Sequence, residues 1–487
     1  MRYDLAVIGA GPAGLAAAVR AADGGLRVAL IDAAPAAGGQ FYRQPAPELR
    51  AREIRALHHG WRAYASWSTR LGRHVAAGRV HHLAEHQVWT VARPTPDQDA
   101  AGEGSFAVHA VTGERGDGAA TVLARGVVLA TGAYERQYPF PGWTLPGVLT
   151  AGGAQAQLKT ALTLPGRRIV VAGTGPLLLS VAAGLASAGA EVAAVVEAAD
   201  PLRYARHWRA LAVNPGKLAE GASYAARLLR HRVPVYTGQV VVAAHGTDRV
   251  EAVTVRRLRR DGTPAPGGDR TLACDTLAVG HGLDPQLDLG LALGCPVRAD
   301  TDGTWVLTAD AEQRTGTPGV WAAGESTGVG GAQLALAEGE SAGHSAAHRL
   351  GEDTSRASSP AWGDGARSRP AARVARLRAF AAALLDVHRE PAGWIARLAD
   401  DTVICRCEEV PYAAVRAAGE DLGAGDPRSL KLLTRVGMGW CQGRMCGPAV
   451  QGLAAHLADG QAPPPPTRPL ACPVPLRLLA EGADGAR

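Results

Sequence analysis

The chain has 487 residues, 47% of them hydrophobic and 20% charged, with a formal net charge of +6. That length gives about three domains at roughly 150 residues each, and that composition belongs to a globular protein with a large core. The charge is modest and the arginines are scattered rather than striped, which argues against a nucleic-acid partner; no apolar run is long enough for a transmembrane segment, and seven cysteines are too few for a disulfide framework. The first strand begins almost at once, leaving no room for a secretory leader, so a cytoplasmic location is expected.

Asp4 to Ile8 reads as a buried strand, followed by Gly9-Ala10-Gly11-Pro12-Ala13-Gly14, an alanine-rich helix to Ala22, and a second strand from Arg27 to Ile31 that ends at Asp32. This is a βαβ unit with a dinucleotide fingerprint. Gly9 permits the tight turn, Gly11 lets a pyrophosphate approach the backbone, and Gly14 lets the helix lie on the strand. The helix N-terminus offers unpaired N–H groups to phosphate, with Asp32 placed for a ribose hydroxyl. Gly38-Gly39-Gln40 follows, and the stretch from Pro47 to about Leu83 reads as inserted helices. Strands are expected at Phe106–Val111 and Val127–Ala130, the latter running into Thr131-Gly132, with loops at Asp97–Ser105 and Gly113–Ala119.

A second βαβ unit starts at Arg168. Its strand leads into Gly173-Thr174-Gly175-Pro176-Leu177-Leu178, a helix to Ser187, and a strand ending at Glu197. Leu178 stands where the third glycine belongs, which pushes the helix off the strand and weakens the case for a ligand. NAD or another adenine nucleotide remains open here, as does a unit kept for packing; Glu197 disfavours a 2′-phosphate. Thr276–Val279 and Gly319–Ala323 are further buried strands, the second ending in Gly324-Glu325. Gly351–Pro370 reads as a linker, Val374–Val387 as a helix, and Gln461–Pro475 as a proline-rich tail draped in extended form.

Four of the cysteines form two close pairs, Cys405-x-Cys407 and Cys441-x-x-x-x-Cys446. Four soft anionic ligands suit a 2Fe-2S cluster or a zinc ion. Zinc favours C-x-x-C knuckles, and this spacing fits that habit poorly. Arg406, Arg435 and Arg444 are placed to offset a cluster's negative charge. Cys274, Cys295 and Cys472 have no partner pattern and read as small buried residues or an incidental thiol. Neither βαβ unit carries a redox-active cysteine pair, which argues against disulfide exchange. His58, His59, His81 and His82 read as solvated, the tryptophans Trp61, Trp67, Trp143 and Trp440 as packing, and no residue stands out as a general base.

The order of these motifs resembles the two-dinucleotide-binding-domain flavoproteins related to glutathione and thioredoxin reductases. The resemblance implies an α/β fold of nested Rossmann-like domains, with FAD in the first, which the second interrupts, and Glu325, where the family commonly has Asp, near the flavin's ribityl-pyrophosphate region. Gly38 to Arg43, Phe140 to Val148, Ala151 to Gln155 and the cysteine module are more closely similar to the large subunits of heteromeric bacterial dehydrogenases of amino, imino and opine acids, the group that includes the opine oxidases and hydrogen cyanide synthases. That resemblance covers nearly the whole chain. It implies a C-terminal 2Fe-2S domain like bacterioferritin-associated ferredoxin, and two partners: an FAD subunit resembling D-amino-acid oxidase and a small ferredoxin-like subunit. The organisation expected is an FAD-binding domain in two parts, 1–140 and 276–350, around a second nucleotide-binding domain at 141–275, then a linker and helix at 351–399, the cluster domain at 400–460 and a tail at 461–487. The flavin-site residues implied are Gly9, Gly11, Pro12, Ala13, Gly14, Asp32, Gly39, Gln40, Thr131, Gly132, Gly324 and Glu325. Gly173, Gly175 and Glu197 form the second nucleotide site, and Cys405, Cys407, Cys441 and Cys446 the metal site. An NADH-dependent reductase and a non-catalytic assembly protein are the competing functions.

Overall fold

The computed structural model describes residues 2–93, 105–113, 116–352, 364–458, 460, 467–468 and 470–484. Most of the Asp97–Ser105 loop, the centre of the Gly351–Pro370 linker and the start of the tail lie outside them.

The first sheet contains β1 (Arg2–Ile8), β2 (Val28–Ile31), β3 (Val80–Leu83), β4 (His86–Ala92), β5 (Phe106–Thr112) and β6 (Gly118–Leu129), in the order β3-β2-β1-β6-β5-β4. The strand Val320–Ala322 also pairs with β6. β1, β2, β3, the C-terminal half of β6 and Val320–Ala322 run parallel, whereas β4, β5 and the N-terminal half of β6 form an antiparallel meander. Leu5 to Val7 and Val28 to Leu30 are fully buried because helices cover the parallel strands. α1 (Pro12–Asp23) buries mostly alanine, with Gly14, Leu15 and Val19 among six alanines. Against it lies the helix Ala332–Glu352, so close that a Cβ on Gly339 would sit 2.0 Å from the Ala13 carbonyl oxygen.

The second sheet is entirely parallel: Val235–Thr237, Glu191–Glu197, Arg168–Thr174, Thr276–His281 and Val148–Thr150, in that spatial order. Two helices, α3 (Ala151–Ala161) and α4 (Leu177–Ser187), pack on one face of it. A small antiparallel sheet, Gln239–His245 with Ala252–Arg257 and Arg270–Ala273, covers the other. The fold is thus the nested α/β arrangement expected.

Local expectations fail in three places. The inserted stretch has one long helix, α2 (Trp61–Ala76), and ends in β3 rather than more helix, with β4 following beyond it. β3 carries His81 and His82 into the sheet, so these histidines are not freely solvated; His81 Nδ1 lies 2.9 Å from the Tyr3 hydroxyl. β6 begins at Gly118, inside the expected loop. The helix ending at Val387 starts at Asp364, within the expected linker. Each difference has the same cause: short strands and helix starts of weak periodicity are fixed by the neighbours they pair with. Among the described residues no helix is long and apolar enough to cross a membrane.

Candidate functional site

Four segments distant in sequence meet at the N-terminus of α1. Gly9 has φ +99°, and a Cβ there would lie 2.2 Å from the Ala130 carbonyl oxygen, so only glycine permits β1 and β6 to turn together. A Cβ on Gly14 would lie 1.7 Å from the Gly9 oxygen. Gly39 stands against Gly11, and Gly324 against Ala13. Gly11 caps α1 without a side-chain hydrogen bond and Pro12 follows it, so the first N–H groups of the helix have no side-chain acceptor. A helix end of this kind can cradle a pyrophosphate. The carboxylate of Asp32 accepts from the N–H groups of Ala10 and Ala34, which fixes the turn and leaves lone pairs beside it. Gln40 accepts from Arg43 through its side-chain oxygen, and the Thr131 hydroxyl donates to the Gln286 carbonyl at 2.8 Å, while the Gln286 N–H returns to Gly132 at 3.0 Å.

Glu325 follows Gly324 at the same end of the cradle and also has a structural part. Its two oxygens accept from the N–H groups of Gly330 and Gly331, at 2.9 and 3.0 Å, and so hold the turn that launches the Ala332–Glu352 helix. A carboxylate that sequence reasoning missed, Glu338, is 1% exposed and accepts from the Gly324 N–H and the Thr327 hydroxyl, paired with Arg378. Burial raises its pKa, with Arg378 opposing. Lys159, also missed, is buried with its ammonium 2.8 Å from the Phe41 carbonyl oxygen, and burial and Arg43 pull its pKa down to about 8. His58 is enclosed beside Trp61 and Tyr42, and burial drops its pKa to about 4.

In the second unit Gly173 has φ +129°, the counterpart of Gly9, and Gly175 has φ +118°, unlike Gly11 at −65°. Leu178 is fully buried, and the space it needs comes from Gly280 on the next strand, whose absent Cβ would meet Leu178 at 3.3 Å. The crevice at the carboxyl ends of these strands is where an open α/β sheet takes its ligand. Here the chain's own residues 388–390 occupy it. The His388 carbonyl accepts from Thr174, its Nε2 lies 2.7 Å from the Tyr204 hydroxyl, and its Nδ1 is 3.5 Å from Glu197. Glu197 is itself 8% exposed and accepts from the N–H groups of Gly175 and Ala199. Glu390 binds His281 at 2.8 Å and Arg397 at 2.6 Å, all three being buried.

Burial alone would raise the Glu390 pKa, but His281 and Arg397 outweigh it and depress it from the ordinary 4.5 to about 2. The folded form therefore gains stability that is complete above about pH 4.5 and lost as pH falls towards 2. Glu390→Gln leaves Arg397 buried without a counter-charge, and is expected to cost about 3–5 kcal/mol at neutral pH. Denaturant unfolding of both proteins between pH 7 and pH 3 checks this: the difference must shrink as the solution is acidified.

The four paired cysteines converge. Cys405 and Cys446 are buried, whereas Cys407 and Cys441 are partly exposed with their sulfurs 3.5 Å apart. The Cys446 thiol is pushed up by burial and by Cys405 beside it. Burial opposes ionisation of Cys441, yet the N–H groups of Met445, Gly443 and Arg444 and the Cys407 thiol hold it below the usual thiol range. The Gly437 N–H points at the Cys405 sulfur at 3.5 Å, and Gly439 packs on Cys407 where a Cβ would be 2.1 Å away. Glu409, Arg435 and Gln442 adopt positive φ around the loop, strain of the kind concentrated at ligand clamps. Among the described residues no group of three or more His, Cys, Asp or Glu side chains closes round one metal ion. Cys407 and Cys441 are in contact and Cys405 lies beside Cys446, so four soft ligands stand together that could serve two bridged irons. Of the three arginines expected to offset charge, Arg444 donates to the Cys441 carbonyl; Arg435 pairs with Glu408, and Arg406 lies over the Trp143 ring. Trp143 is buried as expected, but Trp440, next to Cys441, is 78% exposed.

Residues 3–340 match the pyridine nucleotide-disulphide oxidoreductase family, and residues 403–456 match the BFD-like [2Fe-2S] binding domain. An opine oxidase subunit from Agrobacterium tumefaciens is 35% identical over 453 residues, 92% of this chain and 84% of that protein. The hydrogen cyanide synthase subunit HcnB of Pseudomonas protegens is 33% identical over 446 residues, 92% of this chain and 90% of that protein. Among solved structures, L-proline dehydrogenase from P. horikoshii superposes with a TM-score of 0.65 at 20% identity, covering 98% of this chain and 79% of that one, which supports the fold. The chain therefore belongs to the pyridine nucleotide-disulphide oxidoreductase family, as a flavin-type oxidoreductase with a BFD-like [2Fe-2S] binding domain, related to subunits of opine oxidase and hydrogen cyanide synthase.

Proposed function

We propose that the chain is the large, electron-transferring subunit of a heteromeric dehydrogenase acting on amino, imino or opine acids. The pyrophosphate of FAD would lie at Gly9, Gly11, Pro12, Ala13 and Gly14, with Asp32 on the ribose, Gly39, Gln40, Thr131 and Gly132 along the flavin side, and Gly324 and Glu325 shaping the far wall. Cys405, Cys407, Cys441 and Cys446 would hold the cluster. When bound, a flavin accepts electrons in pairs and releases them singly, and a 2Fe-2S centre carries one at a time.

The observation that carries the reading is a short route of hydrogen bonds and one ion pair between the two sites. Thr131 and Gly132 grip Gln286, two residues on Asp288 faces Arg444, and Arg444 donates to the Cys441 carbonyl. Among the described residues, none in the cradle presents a general base positioned for C–H or N–H oxidation, which supports substrate oxidation in a partner subunit. The relatives named above are themselves subunits. The partner whose chemistry fits is a flavin subunit resembling D-amino-acid oxidase, accompanied by a small ferredoxin-like subunit.

The rival reading, a stand-alone NADH reductase, needs an open second crevice. His388 and Glu390 stand in it, and Glu197 already accepts from two backbone N–H groups. Gly173, Gly175 and Glu197 therefore serve, on this reading, to seat the Asp364–Val387 helix and the cluster domain rather than NAD. Anaerobic mixing of the purified chain with NADH in a stopped-flow spectrometer is expected to leave the flavin band unchanged over minutes. Rapid bleaching by NADH would reject the heteromeric reading in favour of the reductase.

A further inference from the structure

The described part of the C-terminal tail runs over both halves of the electron route. Arg468 donates through Nη1 to Asp288 at 2.9 Å and through Nε to the Gln442 carbonyl at 3.1 Å. Arg444, which lies between Cys441 and Cys446, donates to the Leu470 carbonyl at 2.6 Å and has its Nε 3.7 Å from the other oxygen of Asp288. Beyond Leu470, the Ala471 N–H joins the Trp89 carbonyl on β4 at 2.7 Å, and Cys472 is buried against the same strand. Asp288 opens a short helix that begins just after the Gln286 gripped by Thr131 and Gly132. One carboxylate thus takes two guanidiniums, one from the thiol-bearing loop and one from the tail, while the tail is sewn to the first sheet.

We propose that the tail is a clamp that positions the Cys441–Cys446 loop against the first dinucleotide-binding half, with Arg468 and Asp288 as its positioning residues. The inference rests on the reading that FAD and a 2Fe-2S cluster occupy the two sites. The physical case is one of energy and reach. The Cys441–Cys446 loop is rich in glycine and holds Gln442 at positive φ, so contacts from outside the loop bear on its position. Arg468 gives Asp288 a charge-assisted hydrogen bond, stronger than a neutral one, and the buried Arg444, with Nε 3.7 Å from the same carboxylate, adds an ion pair without a hydrogen bond. In the transfer that the clamp supports, the reduced flavin loses one electron and the oxidised cluster gains one. The clamp itself makes and breaks no bond and moves no proton.

The test uses the full-length holoprotein and the variants Arg468→Ala, Asp288→Asn and Arg477→Ala. Arg477 lies on the same tail and donates to the Asp117 carbonyl, away from the thiol loop, so it serves as the control. Amide hydrogen exchange is followed across residues 441–447, and the bound flavin is photoreduced by a flash with deazariboflavin and EDTA while cluster reduction is recorded. In R468A and D288N, exchange of the loop is expected to rise and electron arrival at the cluster to slow, each by at least about tenfold, with flavin and iron contents unchanged. R477A should match the parent protein in both. Arg468→Lys keeps the charge towards Asp288 but not the second donor, and should fall between. Exchange and electron arrival within about twofold of the parent in both R468A and D288N would overturn the clamp. A parent protein without flavin or iron would instead refute the proposed function, and the exchange measurement would still decide whether the tail holds the loop.

Discussion

Cys446→Ala is expected to yield a protein that keeps its flavin and loses essentially all of its iron and acid-labile sulfide. Cys446 is buried with Cys405 in the core of the C-terminal domain, at the point where the Gly437–Gly447 loop turns into the Gly447–Leu457 helix. Alanine would remove one of the four soft ligands proposed and leave a buried gap that water fills poorly, so a cluster would have neither its fourth anion nor a substitute. Because a bound centre stabilises the state that holds it, the loss also withdraws stability, on the order of several kcal/mol, from the domain that packs Trp394, Ile404 and Val415 around the thiols. Colorimetric iron and sulfide per chain, together with the low-temperature paramagnetic signal of the reduced protein, give the readout. Full iron content in the variant would sink the assignment of Cys446. Cys407→Ala, at the partly exposed pair, should show the same loss of iron with less loss of stability, since the deeper site leaves the larger defect.

Gly14→Val should be as severe at the other end of the route. The Gly9 oxygen that a side chain on residue 14 would strike is backbone, held by the turn that Gly9 alone permits, and cannot step aside. α1 cannot retreat either, because Gly339 and Gly343 bring the Ala332–Glu352 helix onto its opposite face, where a Cβ would be 2.0 and 2.3 Å from the Ala13 and Ala17 oxygens. Overpacking of this kind costs roughly 1–3 kcal/mol, and displacement of the helix N-terminus moves the N–H groups meant for phosphate. The purified variant is expected to contain less than about a tenth of the parent's flavin, a loss that about 1.4 kcal/mol of binding energy suffices to cause. Gly175→Ala makes the informative contrast. Its φ of +118° makes alanine costly, but with residues 388–390 in that crevice the flavin content should hold. Flavin absorbance per chain separates the two outcomes, and equal flavin in G14V and the parent would move the cofactor elsewhere.

Much of this was legible in the chain because it rests on local rules. The turn at Gly9 to Gly14 follows from what a tight strand–helix junction requires, and it is encoded with Asp32 within one βαβ unit. The pairing of Cys405 with Cys407 and of Cys441 with Cys446 along the chain follows from ligand chemistry and spacing. Leu178 flagged the second unit as abnormal, although its consequence was hidden: what fills that crevice is His388 and Glu390, more than two hundred residues after Gly173 and Thr174. The strands β3 and β4 escaped notice for a similar reason, since four or seven residues of mixed polarity acquire their strand character from the partners beside them.

The sequence by itself determined the two chemistries, a nucleotide cradle at one end and four thiols at the other, because each needs particular residue types at fixed short separations. Only the tertiary structure decided how they are joined. Glu338 reaching Gly324, Asp288 shared by Arg444 and Arg468, and the buried Glu390 between His281 and Arg397 are carboxylates that look ordinary in the chain. Removal from water makes each depend on its partner's charge, and folding alone chooses the partner.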